Sequence, residues 1–130
     1  MQRPTVLLVE DDPATLEAFA TVLREEFKVY VAKSADEALA VSEELRYDAD
    51  IIVVDLALGT GRRGDQFVEQ YRERSKRRTP VIVVSGAPRA YELARTIRPQ
   101  SILLKPVDLD ELMGRVNLFV RTGPGEARPN

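Results

Sequence analysis

Ile51-Ile52-Val53-Val54 is an unbroken run of branched apolar side chains, and it stops abruptly at Asp55. A strand with one wet face alternates apolar and polar residues. A run with no polar member fits a strand covered on both faces, as in a parallel sheet sandwiched between helices. The segment Asp50 to Asp55 is therefore expected to be a central strand. Four more runs of strand length accompany it: Thr5 to Val9, Phe27 to Val31, Val81 to Val84 behind Pro80, and Ile102 to Leu104. Phe27, Val29 and Val31 alternate with Lys28 and Tyr30, the pattern of a half-covered strand at a sheet edge.

The segments between these runs carry helical spacing and start signals. Asp12-Pro13 reads as an N-cap with proline in the first turn, ahead of Leu16, Phe19, Ala20 and Leu23. Ser34 with Glu37, and Asp108 with Glu111, have capping-box spacing. The second helix is expected to reach about Arg46. The third is expected to be short, through Phe67, Val68 and Tyr71. The fourth is expected to open near Pro88, to carry Tyr91, Ala94 and Ile97, and to stop at Pro99. The fifth is expected to carry Leu109, Leu112, Met113, Val116 and Val120. Strands and helices thus alternate five times, which predicts an α/β fold with helices on both faces of a parallel sheet, joined by right-handed crossovers. At 130 residues this is one domain, expected over residues 1–121. Residues 122–130, with two glycines and two prolines, are expected to be a flexible tail.

The ends of the strands carry the chemistry. Glu10 and Asp11 follow the first run, Asp55 ends the third, Ser85 follows the fourth and Lys105 follows the fifth. Parallel strands all end on one edge, and open α/β sheets bind ligands at that edge. Gathered carboxylates repel by roughly 4 kcal/mol per close pair at an effective dielectric near 20. Lys105 offsets part of this, and a hard, oxygen-liganded divalent cation, best Mg²⁺, suits the remainder. An aspartate surrounded by a metal, an ammonium and a hydroxyl is equipped for in-line phosphoryl transfer, with Asp55 as nucleophile. Asp12 is read as a helix cap and not as a ligand.

Composition narrows the alternatives. The chain has no histidine and no cysteine, which excludes His-based acid/base chemistry, disulfides and Cys-ligated zinc. The net charge of -2 gives no basic footprint for nucleic acid. The apolar runs are far shorter than the roughly 20 residues that span a bilayer, so no membrane association is expected, and the expected location is cytoplasmic.

Taken in order, Val9-Glu10-Asp11-Asp12, the strand-terminal Asp55, Val84-Ser85-Gly86 and Lys105-Pro106 resemble the receiver domain of two-component response regulators, across about residues 4 to 121. The resemblance implies a flavodoxin-like sheet of five strands in the order 2-1-3-4-5 with five helices. It implies a signalling phospho-acceptor and not an enzyme: Asp55 takes the phosphoryl group from a phosphohistidine on a sensor histidine kinase or histidine phosphotransfer protein. Asp11, Asp55, the backbone carbonyl of Ala57 and, mostly through water, Glu10 would hold Mg²⁺. Lys105 and Ser85 would contact the phosphoryl oxygens. The Lys105-Pro106 bond would be cis, and an output protein would bind through the helix 4, strand 5, helix 5 face.

The chain departs from that pattern at three places. Leu58-Gly59-Thr60-Gly61-Arg62-Arg63-Gly64-Asp65 replaces the usual Met-Pro and Asp-Gly, with Arg62 or Arg63 as candidates to reach a phosphate. Ile102 stands where a switching aromatic is common, and the segment from Ser85 to Lys105 is short, which bears on helix 4. Ile102 and the loop motivate the alternative of a phosphorylation-independent interaction module on the same fold. An aspartate-dependent phosphatase would need a second acid where this chain has Ala57. Gly59-x-Gly61-x-x-Gly64 matches a dinucleotide fingerprint, but no acidic residue stands near Val84, so the match is read as accidental.

Overall fold

A computed structural model describes residues 3–59, 61–86 and 88–121. Five strands alternate with five helices: β1 (Thr5–Val9), α1 (Pro13–Leu23), β2 (Lys28–Ala32), α2 (Ala35–Glu44), β3 (Ile51–Val54), α3 (Gly64–Arg74), β4 (Val81–Ser85), α4 (Ala90–Ala94), β5 (Ser101–Leu104) and α5 (Leu109–Phe119). All paired strands are parallel and the sheet order is β2-β1-β3-β4-β5. This is the flavodoxin-like order that the sequence implied, with β2 at an edge. The expected tail, residues 122–130, lies outside the described residues.

The period of two along each strand divides the interior into two cores. Val6, Leu8, Ile51, Val53, Ile82, Val84 and Leu103 point to one side, where Leu16, Phe19 and Leu23 of α1 meet Leu112 and Val116 of α5. Leu7, Val9, Ile52, Val54, Val81 and Val83 point to the other, against α2, α3 and α4 through Ala38, Phe67, Val68, Tyr71 and Ala94. Every residue of β3 is buried, as its unbroken apolar run required. Each such side chain contributes about 1.5–3 kcal/mol by leaving water.

Helix starts follow the capping signals. Asp12 accepts from the Thr15 amide at 3.0 Å, Ser34 from the Glu37 amide at 3.1 Å, and Asp108 from the Asp110 and Glu111 amides at 2.8 and 3.2 Å.

Four expectations need correction. The second face of β2 is only partly wet: Lys28 is exposed, but Tyr30 is partly buried and packs against the core that includes α2. α2 ends at Glu44, not Arg46; Arg46 and Tyr47 turn to positive φ (55° and 54°), and the Tyr47 ring lies 5.4 Å from that of Tyr71. α3 is no shorter than α1: both have eleven residues, and the charged positions of α3 form its wet face. α4 is the short one, five residues capped at Arg89, so Pro88 precedes it and Pro99 lies well beyond its end. Its buried positions are Ala90 and Ala94, while Tyr91 is 61% exposed. The short connection between β4 and β5 leaves room for little more than one turn, followed by the bend at Arg98 (φ 44°).

Candidate functional site

The backbone ladder runs one residue past each strand and fixes the polar edge. Val9 pairs with Val54, so Glu10 and Asp55 leave the sheet side by side. The amides of Glu10 and Asp55 donate to Ala32 and Val9 at 3.0 Å each. On the other side Ser85 pairs with Leu104, and the Lys105 amide donates to the Ser85 carbonyl at 3.0 Å. Lys105 therefore leaves β5 level with the buried end of β4, and its peptide bond to Pro106 is cis.

From there the Lys105 ammonium reaches back across the sheet. Nζ donates to Glu10 Oε1 at 2.6 Å and to Asp55 Oδ2 at 2.8 Å, joining residues 95 and 50 positions apart. Glu10 is 1% exposed and Asp55 5%. Their second oxygens are held by backbone: the Asp12 amide donates to Glu10 Oε2 at 3.0 Å and the Ala57 amide to Asp55 Oδ1 at 2.9 Å. Asp11 is exposed, and one oxygen each from Glu10, Asp11 and Asp55 lies within 4.8 Å of the others. Asp12 faces away into its capping bond, where the Thr15 hydroxyl and amide hold it below the usual carboxylate range.

Three carboxylates and one ammonium leave this cluster with two formal negative charges. No other Lys or Arg among the described residues hydrogen-bonds these carboxylates. Burial pushes the Glu10 carboxyl up and the Asp55 charge adds to that, against the Lys105 and Asp12 hydrogen bonds that favour ionisation. Burial alone would lower the Lys105 ammonium, but the hydrogen bonds and charges of Asp55 and Glu10 outweigh it and hold Lys105 above the ordinary lysine value. The donor set is all hard oxygen and its excess charge is that of one divalent cation, so these residues fit Mg²⁺.

The loop after Asp55 explains its glycines. A Cβ on Gly64 would lie 2.2 Å from the Asp55 carbonyl oxygen, so α3 starts in direct contact with the backbone of the strand end. The Gly64 amide donates to Leu56 at 3.0 Å, closing the loop. Gly59 has φ +71°, and a Cβ there would sit 3.4 Å from Asp11 Oδ2. In the sequence these glycines read as an accidental fingerprint match; their dense spacing is the signal for a backbone packed against the site. Arg62 and Arg63, read as candidates to reach a phosphate, are engaged elsewhere. Arg62 pairs with Asp36 at 2.7 Å, and Arg63 with the buried Asp65 at 3.0 Å. Ile102 is partly buried and packs against the core, on the side of Val83 and Ile97.

Comparison with known proteins places the chain in a family and a fold. The family model described as response regulator receiver domain matches residues 6–117. The cell cycle transcriptional regulator CtrA of Caulobacter vibrioides is 30% identical over 126 residues, covering 95% of this chain and 53% of CtrA. The hydrogenase transcriptional regulatory protein HoxA of Cupriavidus necator is 32% identical, covering 92% of this chain and 24% of HoxA. The chain thus spans about half or less of the length of these relatives. Among solved structures, the chemotaxis protein CheY4 of Vibrio cholerae has a TM-score of 0.77 at 22% identity, covering 91% of this chain and 99% of that one. The N-terminal domain of an uncharacterized protein from Wolinella succinogenes has a TM-score of 0.80 at 22% identity, covering 89% and 93%. At these identities the structural likeness speaks for the fold.

Proposed function

This chain belongs to the response regulator receiver domain family, and from that premise we propose that Asp55 is its phospho-acceptor, that residues 1–121 are the receiver unit, and that phosphorylation changes partner binding. Receiver domains are signalling phospho-acceptors that take phosphoryl groups from histidine kinases and act on output domains. The observation that carries the reading is the Lys105 ammonium shared between Asp55 and Glu10, with Asp11 beside them.

In this reading Asp11, Asp55 and the Ala57 carbonyl would hold Mg²⁺, with Glu10 acting mostly through water. When bound, the ion supplies charge neutralisation for the phosphoryl oxygens. Asp55 Oδ attacks phosphorus in line while the P–N bond to the donor imidazole breaks, and the departing imidazole keeps that electron pair. Lys105 hydrogen-bonds one phosphoryl oxygen, which weakens its hold on the carboxylates, and the Ser85 hydroxyl hydrogen-bonds another. Lys105 already stands at the acceptor and offsets part of the charge that phosphorylation adds. The expected setting is the cytoplasm, and no helix among the described residues is long and apolar enough to cross a membrane.

Two surfaces support the partner assignments. An apolar groove of ≈ 620 Å³ between α1 and the start of α5 includes Ala14, Phe19, Pro106 and Leu109, and Lys105 also lines it, so a phosphohistidine carrier seated there would lie beside the site. On the opposite flank Tyr91 of α4, Leu104 of β5 and Leu118 of α5 are 61%, 50% and 59% exposed, which suits the α4, β5, α5 face for an output partner. Incubation with Mg²⁺ and a small acyl phosphate tests the reading by intact mass. The wild type is expected to gain one phosphoryl group and Asp55→Asn none; no gain in wild type, or a gain in the variant, overturns it. The second reading, a module indifferent to phosphorylation, is favoured by one observation, the aliphatic Ile102 packed into the core. It requires partner affinity to be the same in Asp55→Asn and in phosphorylated wild type.

A further inference from the structure

The basic run Arg72-Glu73-Arg74-Ser75-Lys76-Arg77-Arg78 has no part in the chemistry at Asp55. It closes α3 and leads into β4, so it lies at the edge of the sheet where strands begin, about 13 Å of strand away from the polar edge. A pocket of ≈ 350 Å³ opens there, lined by Arg72, Ser75, Lys76, Arg77, Arg78 and Thr79. Four of these are cations and none is an acid.

The charges are unevenly compensated. Arg77 is held by Asp48, with Nε and Nη2 donating to one oxygen at 2.9 and 2.7 Å. Lys76 and Arg78 have no ion pair among the described residues. Arg72 donates one nitrogen to the Ile97 carbonyl, while its Nη2 is buried without a hydrogen-bond partner among the described residues. Burial, with the positive charge of Arg78 in addition, pulls Arg72 below the usual arginine value. Holding like charges around a concavity costs stability that an anion in the pocket would return.

We propose that this pocket is a second ligand site, which binds a small anion bearing two or more phosphoryl groups. Its volume is within the range of about 300–1,000 Å³ that small molecules occupy. The cations are gathered within seven consecutive residues and not laid along a stripe, as a nucleic-acid backbone would require. The net charge of -2 gives no long-range attraction for a polyanionic macromolecule, so the affinity resides in the local cluster.

Calorimetric titration of the full chain with inorganic pyrophosphate, in chelator and at low ionic strength, tests this. Wild type is expected to show one saturable site that weakens with salt. The double variant Lys76→Gln, Arg78→Gln alters two exposed side chains and is expected to bind at least roughly tenfold more weakly, the value of one charged hydrogen bond. Asp55→Asn is expected to bind as wild type does, since the acidic edge is not involved. Absence of saturable binding to wild type, or unchanged affinity in the double variant, overturns the proposal. Saturable binding of duplex DNA or an acidic peptide without binding of pyrophosphate overturns it too, and assigns the patch to a macromolecule.

Discussion

Asp11→Asn is expected to make the metal-free protein more stable while removing its response to Mg²⁺. The Asp11 carboxylate lies within 4.8 Å of an oxygen on Glu10 and one on Asp55. Unit charges at that separation repel by about 3.5 kcal/mol at an effective dielectric near 20, and by about 0.9 kcal/mol in bulk water. Asp11 is exposed and its neighbours are buried, so solvent screening draws the interaction toward the lower figure, and lost attraction to Lys105 subtracts further. Over two neighbours the net relief is about 1–2 kcal/mol. No hydrogen bond of the Asp11 side chain among the described residues is lost. Urea unfolding in chelator should therefore give the variant a midpoint above wild type with an unchanged slope. Added Mg²⁺ should then stabilise wild type, by about 2.7 kcal/mol at a hundredfold excess over its dissociation constant, and the variant far less. A variant less stable than wild type in chelator would refute the repulsion; an equal gain from Mg²⁺ in both would refute Asp11 as a ligand.

Lys105→Met strands two buried carboxylates and should cost about 3 kcal/mol at neutral pH. The folded-state pKa of Glu10 is raised, so its stabilising protonation is complete below the unfolded value of 4.5 and lost as pH rises through the folded value. The deficit of the variant, followed by urea unfolding across pH, should therefore narrow toward acid pH. Gly64→Ala drives a Cβ to 2.2 Å from the Asp55 carbonyl, and should cost about 1–3 kcal/mol by overpacking and slow phosphorylation from acyl phosphate as the loop shifts. Tyr71→Phe leaves the buried Ala49 amide, now 3.0 Å from the Tyr71 hydroxyl, without its acceptor. Thermal unfolding should show a loss of about 1–3 kcal/mol with phosphorylation intact.

The fold was legible because its signals are local. Capping residues Asp12, Ser34 and Asp108 stand one position before their helices and accept from amides three positions on, and the branched runs announce strands whose shared direction brings Glu10, Asp55 and Lys105 together. What escaped the sequence depends on contacts between distant segments. Tyr30 reads as the wet side of an alternating strand until α2 covers it. Tyr91 reads as one apolar stripe with Ala94 and Ile97, whereas the short α4 buries Ala90 and Ala94 and leaves Tyr91 exposed. Arg62 reads as free to reach a phosphate, but pairs with Asp36 from 26 residues away. Arg121 gave no signal, yet it ties the end of α5 to the entry of β3, with Nη2 3.0 Å from Asp48 Oδ1 and its amide 3.2 Å from the Asp50 carbonyl. In the site itself the side chains were readable by type and position. The backbone donors from Asp12 and Ala57 were not, because amide direction follows from loop shape and not from residue identity.

The assignment of Asp55 as acceptor is tested most directly by trapping the acyl phosphate. Protein treated with Mg²⁺ and an acyl phosphate donor is reduced with borohydride, which converts an aspartyl phosphate to the alcohol, and the modified position is read by peptide sequencing in a mass spectrometer. Reduction at position 55 alone is the predicted result; reduction at Asp11 or Glu10, or at no carboxylate, would contradict it.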